Sequence, residues 1–471
     1  MNAQKVMQRH PRKIAILVFI ASMFMSAYAI LSYSQDTDEA QFSFGHTNKM
    51  LSLIVSTDPT QIELTIARLD RTWKPQYIAP LLEVISYASS PITQRAAISL
   101  LEEKTGQVFG QDVNSWYRWL WNQAEKISDE YADFKADFYQ FLDPRFGQYF
   151  RDRQSSAKIR LDEIRWGGVG QDGIPPLRSP EMIAASEASY LEDDNIIFGI
   201  EINGDARAYP KRILAWHEMF VDTVGGVNIA GVYCTLCGTV IPYKTDVGDR
   251  HFELGTSGFL YRSNKLMYDR ETQSLWNTIK GEPVLGPLAG QGITLEFLSV
   301  VTTTWGEWKH RHPETTVLSL DTGHKRDYGE GVAYQQYFSN DTLMFNTPFS
   351  DKRLKNKQEV LALRFAASPK EQLAIDTDFL IENPLYEDNV GQQKLLVLTD
   401  RSGANRVYDP GSTKFRSYDG RSTLVDNTGQ QWTLSESQLT SAQGTILERL
   451  PYHRAFWFGW HANYPDTRLV K

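Results

Sequence analysis

The stretch WGEWKHRHPETTVL, residues 305–318, carries the pattern W-x-x-W-x-x-x-x-P-[ED]-T, and WFGWHANYPDTRLV, residues 457–470, repeats it at identical spacing. Upstream of the first stand Asp269, Thr272 and Trp276; upstream of the second stand Asp426, Thr428 and Trp432. An offset of about 150 residues is too long for a solenoid unit, so the repetition predicts a β-rich subdomain duplicated within one chain. Before and between these marks the apolar period is two. NIIFGIEI (195–202), VNIAGVYC (227–234), GTVIPYKT (238–245), HFELGT (251–256) and KLMYDR (265–270) read as short strands between turn residues, with one helical break at PKRILAWHEMFVD (210–222).

The chain before these strands has a different period. QYIAPLLEVISYAS (76–89) and PITQRAAISLLEEKTG (91–106) carry apolar residues at helical spacing, with Pro91 at a first helical position and Gly106 as a stop. Two such short helices resemble a HEAT-type pair, suited to scaffolding or partner contact, or to capping the β-rich part. At the start, Lys5, Arg9, Arg12 and Lys13 precede an apolar run from Ile14 to Leu31, followed by Asp36, Asp38 and Glu39. Basic before and acidic after predicts export. Ala27-Tyr28-Ala29 offers a cleavage site, while the length of the run favours an uncleaved anchor in the inner membrane, facing the periplasm. The expected fold class is α+β: 1–35 signal anchor or signal peptide, 36–140 a helical HEAT-like module, 141–370 a first β-rich unit, and 371–471 a second. A net charge of −8 offers no basic field for nucleic acid.

The only two cysteines, Cys234 and Cys237, share one turn in the first unit. The second unit has none, so thiol chemistry belongs to the first and structural support to the second. GTVIPYKT after the pair is strand-like, which argues against a thioredoxin-type helix start. A structural zinc site needs two further ligands, and no second C-x-x-C exists. Three readings remain: a redox pair, a soft-metal site for copper or zinc, or a structural disulfide on a scaffold.

The segments RWGGVGQDGIPPL, ARAYPKRILAWHEM, VYCTLCGTVIPY, TSGFLYRSNKLMYDRETQSLW, GEPVLGPLAG, TTTWGEWKHRHPETTVLSLDTGHKRDYG and AFWFGWHANYPDT together resemble the Domain of Unknown Function 3179 family, from about residue 140 to the C-terminus. That family carries a (seleno)protein label, because some members have selenocysteine at a C-x-x-C position. The resemblance therefore implies thiol chemistry, with a substrate and redox partner that it does not name.

Around the pair, His217 in AWHEM is positioned by sequence to act as base or ligand, or simply to bond a backbone carbonyl. Glu218 reads as a solvated face residue. Arg262, Tyr268 and Arg270 are candidates for holding an anionic substrate; Asp269, which recurs as Asp426, reads as a structural tie. Met267 reads as core, although a Met beside two Cys and one His suits copper. His324, Arg326 and Asp327 form a polar loop, and His310 and His312 are expected at the surface.

Overall fold

The computed structural model describes residues 46–123 and 130–471. The N-terminal apolar run and its charged flanks lie outside the described residues. Among those residues no helix is long and apolar enough to cross a membrane. The fold is α+β: helices occupy residues 46–150, and strands dominate from Ile164 onward.

Local sequence explains the helical segment. Ser90 caps Pro91–Thr105 by accepting from the Ile92 amide at 3.2 Å, proline takes the first helical position, and Gly106 at φ 69° ends the helix. The preceding helix, Ile78–Tyr87, is buried over most of its residues, because its neighbours surround it. The helical core runs on into a five-stranded sheet, ordered Ile164–Trp166, Leu254–Tyr261, Asn264–Asp269, Leu275–Asn277, Glu282–Leu285. Phe259 is the joint: its ring lies 4.9 Å from Tyr139, 4.7 Å from Phe146 and 5.1 Å from Phe150.

An ion pair sits in this joint. Lys135 Nζ donates to Glu83 Oε1 at 2.7 Å, with both side chains fully buried, and also to the carbonyl of Ile164 at 2.9 Å. Tyr131 and Tyr139 donate to the same carboxylate, each at 3.0 Å. Burial works to raise the Glu83 pKa, but Lys135 and Arg165 outweigh it and hold the carboxylate below its ordinary range.

The two tails occupy equivalent structures. In the first unit, Val301–Thr304, Ile196–Ile202, Asp205–Pro210 and Thr316–Leu318 are neighbours in that order, the last pair parallel. In the second, His453–Phe456, Glu359–Arg364, Gln372–Asp376 and Arg468–Val470 repeat the order and the parallel pair. Trp305 and Trp457 each open a helix, Trp305–Arg311 and Trp457–Asn463. Trp308 Nε1 donates to Thr315 Oγ1 at 2.9 Å and Trp460 Nε1 to Thr467 Oγ1 at 3.0 Å. Asp269 and Asp426 accept from Trp276 Nε1 at 3.2 Å and Trp432 Nε1 at 2.9 Å. The second unit's first strand begins at Glu359, ahead of residue 371.

The units also meet reciprocally. Phe456, in the second unit's tail strand, donates its amide to the carbonyl of Cys237 at 2.7 Å. Thr303, in the first unit's tail strand, shares a hydroxyl bond with Ser402 at 3.1 Å, in the second unit's corresponding turn.

Breaking the Lys135–Glu83 pair leaves one buried charge uncompensated. Lys135→Met is expected to cost about 3–5 kcal/mol in urea unfolding, and Glu83→Gln with Lys135→Met to recover much of it. A single variant as stable as the parent contradicts the joint's role.

Candidate functional site

Val227–Cys234 and Thr239–Lys244 form an antiparallel hairpin with Cys234 opposite Thr239. The turn between them is Thr235-Leu236-Cys237-Gly238, closed by the Cys237 amide on the carbonyl of Cys234 at 3.1 Å. Gly238 is required at φ 58°, and a Cβ there would lie 2.7 Å from the Phe456 ring. The cysteines therefore sit on a β-turn. Both are free thiols, 1 % and 0 % exposed. The Cys237 thiol donates to the carbonyl of Ser263 at 3.2 Å. Gly459 of the second unit backs the pair so closely that a Cβ would lie 3.0 Å from Cys237 Sγ.

Two charged residues complete the site. The helix Lys211–His217 ends at Glu218, which takes the left-handed conformation at φ 54° and turns inward. Its Oε1 accepts from Thr235 Oγ1 at 2.7 Å and from the Tyr334 hydroxyl at 3.1 Å. Lys265, buried on the strand Asn264–Asp269, donates to the carbonyl of Glu218 at 2.7 Å and stands 3.2 Å from its Oε2. Glu218 is thus an interior residue, not the solvated one its sequence context suggests.

This setting makes the thiols unequal. Burial works to raise the Cys234 pKa, but the neighbouring Cys237 and the amide and ammonium of Lys265 overcome it, against repulsion from Glu218. Cys234 lies below the ordinary thiol value. Cys237 is pushed well above it by burial and by the neighbouring Cys234 sulfur. The arrangement favours ionisation of Cys234 over Cys237, with the buried Lys265 ammonium nearby for compensation.

A long strap covers them. Between Thr316–Leu318 and Glu359–Arg364 the chain forms one short helix, Gln335–Phe338. Tyr334, Tyr337, Phe338, Leu343 and Phe345 pack with Cys234, Leu236 and Cys237. Tyr337 donates to the carbonyl of Leu236 at 2.7 Å, and Lys357 bonds the carbonyl of Tyr337.

The other candidates are dispersed. His217 spends both ring nitrogens elsewhere: Nδ1 donates to the carbonyl of Pro175 at 2.9 Å, so Nε2 accepts from the Tyr328 hydroxyl at 2.6 Å. His324 lies beside it, ring to ring at 5.1 Å. Burial, with His324 and Arg326 nearby, lowers the His217 pKa to about 4 despite the Pro175 bond. Met267 packs with Met219, Ile241 and Trp276, in a cluster apart from the cysteines. Among the described residues no three His, Cys, Asp or Glu side chains form a group able to hold a metal ion. Arg262 is bound to Glu163 and, at 2.8 Å, to the carbonyl of Ala462. Tyr268 donates to Asp172 Oδ2 at 2.7 Å, and Arg270 pairs with Glu253 in solvent at 3.2 Å. His310 is exposed, while His312 packs half-buried on Trp308, 4.2 Å between ring centres.

Sequence reasoning found the cysteines and missed Glu218 and Lys265. One signal was present: a lysine inside the apolar run NKLMY, where a buried lysine demands a partner.

The family described as "Protein of unknown function (DUF3179)" matches residues 171–467. The helical segment precedes the match. No curated protein and no solved structure matches the chain.

Lys265→Met removes the ammonium beside Cys234. The midpoint of Cys234 alkylation against pH, read in Cys237→Ser to isolate one thiol, is expected to rise by at least about one unit, and an unchanged midpoint removes Lys265 from the site. His217, with its pKa lowered to about 4, binds its proton more weakly folded than unfolded. Stability is therefore expected to fall as pH drops from about 6.5 towards 4, with a shallower slope in His217→Gln by calorimetry.

Proposed function

The chain belongs to the DUF3179 family, proteins of unknown function, and on the chemistry of its own cysteine site we propose that it is an exported, membrane-anchored thiol–disulfide redox protein working through Cys234 and Cys237. The observation that carries this reading is two free cysteines closed into one buried β-turn beside the Lys265–Glu218 pair, a setting that makes the two thiols unequal by lowering the Cys234 pKa and raising that of Cys237. A structural staple has no use for that inequality. An exchange reaction does, since one sulfur attacks and the other resolves.

In the forward direction the Cys234 thiolate attacks one sulfur of an acceptor disulfide, forming a mixed disulfide and releasing the acceptor's other sulfur as thiolate. Cys237 then loses its proton and attacks Cys234 Sγ. The Cys234–Cys237 disulfide forms, and the acceptor leaves as a dithiol with two electrons, the proton of Cys237 and one proton from solvent. Lys265 balances the charge on whichever sulfur is ionised, and Glu218 holds Lys265 in place. His217, neutral and bonded at both nitrogens to Pro175 and Tyr328, is not assigned the role of base. Arg262 is assigned to holding the adjacent hairpin tip.

Export is supported by the basic–apolar–acidic order of residues 5–39. The HEAT-like reading of the helix pair Ile78–Tyr87 and Pro91–Thr105 makes that segment a scaffold between membrane and redox unit.

The test is the reduction potential of the pair in the full chain, by equilibration with dithiol buffers and mass spectrometry. A potential above about −300 mV is expected, since structural disulfides lie lower. A lower value, with function unaltered by Cys234→Ser and Cys237→Ser, overturns the reading. Stoichiometric copper or zinc, lost in Cys234→Ser, replaces it with a metal site.

A further inference from the structure

The hairpin tip that abuts Cys237 is built against local preference. Tyr261 pairs directly with Asn264, leaving a two-residue loop, Arg262-Ser263, at φ 51° and 62°. Both values lie in the left-handed region, where such loops normally carry Asn or Gly. The tip is held there by the bonds of Arg262 to Glu163 and Ala462. Strain of this kind persists where the surroundings impose it, and it gathers at functional sites.

The same tip leaves polar atoms unpaired in the interior. Asn264 is 3 % exposed, yet neither its Oδ1 nor its Nδ2 makes a hydrogen bond. Ser263, also 3 % exposed, has an unbonded Oγ, while its carbonyl accepts from the Cys237 thiol. The Asn264 amide lies beside Cys237, close enough to influence that thiol but short of hydrogen-bond geometry. Buried unpaired donors and acceptors are costly, and three atoms on two adjacent residues call for a partner. That partner must both donate and accept hydrogen bonds. It must also be small, because the strap and the second unit leave Cys234 and Cys237 only 1 % and 0 % exposed.

We propose that Asn264 and Ser263 form a binding site for a hydroperoxide, the small oxidant that charges the Cys234–Cys237 pair. This inference rests on the redox reading above and names the oxidant class. The Asn264 carboxamide offers an acceptor for the peroxide O–H and a donor for its other oxygen, and the Ser263 hydroxyl offers a second donor. The Cys234 thiolate attacks the near peroxide oxygen. The O–O bond breaks, Cys234 becomes a sulfenic acid, and the leaving oxygen takes a proton from the Lys265 ammonium to depart as water, or as an alcohol from an alkyl hydroperoxide. Lys265 then takes the proton of Cys237. The Cys237 thiolate attacks Cys234 Sγ, the disulfide forms, and the sulfenic oxygen leaves as hydroxide, which recovers that proton as a second water. Two electrons pass from the dithiol to one peroxide.

The experiment uses the reduced full chain, stopped-flow oxidation by hydrogen peroxide, and alkylation of Cys234 by iodoacetamide as a control for thiolate and access. Asn264→Ala and Ser263→Gly, the latter keeping the tip's φ, are each expected to slow peroxide oxidation by at least about tenfold with alkylation unchanged. In Cys237→Ser, a sulfenic acid on Cys234 is expected to be trapped by dimedone. Equal losses in both rates, or an unchanged peroxide rate in both variants, overturn the proposal and leave the tip a structural feature. Oxidation by oxidised glutathione but not by peroxide overturns it while leaving the thiol–disulfide reading intact. Oxidation by neither overturns both.

Discussion

A buried lysine–glutamate pair organises the cysteine site. Lys265 and Glu218 come from a strand and a helix end that are distant in sequence, and each is inside only because the other is there. Through this pair the helix terminus, the cysteine turn, the hairpin and the strap are tied to one point. Thr235 and Tyr334 share the same carboxylate oxygen. Desolvating two charges is expensive, and hydrophobic replacements often serve stability as well or better. What a hydrophobic pair cannot supply is a positive charge beside a sulfur, which adds to the effect of the neighbouring Cys237 in lowering the Cys234 pKa.

The two halves share an architecture but differ in what they carry. The tails share their Trp–Thr bonds and their strand order, so both halves fold by the same local rules. Only the first carries cysteines, and Asp400, Arg401, Ser402 and Gly403 occupy the second's corresponding turn. There Asp400 is engaged by Arg406 and Arg311, a charge network that fixes the turn. The second half nevertheless shapes the cysteine turn through Phe456 and Gly459, whose backbone and lack of side chain fit against Cys237.

These relations were unequally legible in the sequence. The repeated W-x-x-W tail is visible because a Trp Nε1 must find its Thr at fixed spacing, a constraint that writes itself locally. The cysteine turn was legible for the same reason: strand-like residues on both sides and Gly238 where φ is positive. Glu218 was not, because its partners lie 17, 47 and 116 positions away, and a lone Glu after a helix looks like any solvated end. Helical periodicity marked the N-terminal helices, but no local pattern shows that Phe259 completes their core. His217 and Met267 were drawn towards the cysteines by sequence proximity, whereas the fold sends one ring to Pro175 and Tyr328 and packs the other side chain against Trp276.

The joint at Phe259 has a consequence for biogenesis. The helices leave the ribosome first, yet Glu83 and Lys135 cannot be enclosed until Ile164 and the strands through Leu285 have been made. A nascent chain halted before that point exposes a half-finished aromatic face and a charged pair without its cover. Contacts of such sequence separation slow folding and lengthen the exposure of sticky surface. If the chain is exported, as proposed, the order of arrival across the membrane becomes part of its folding pathway. The helical segment waits, and the strands that follow are what release it into its final form.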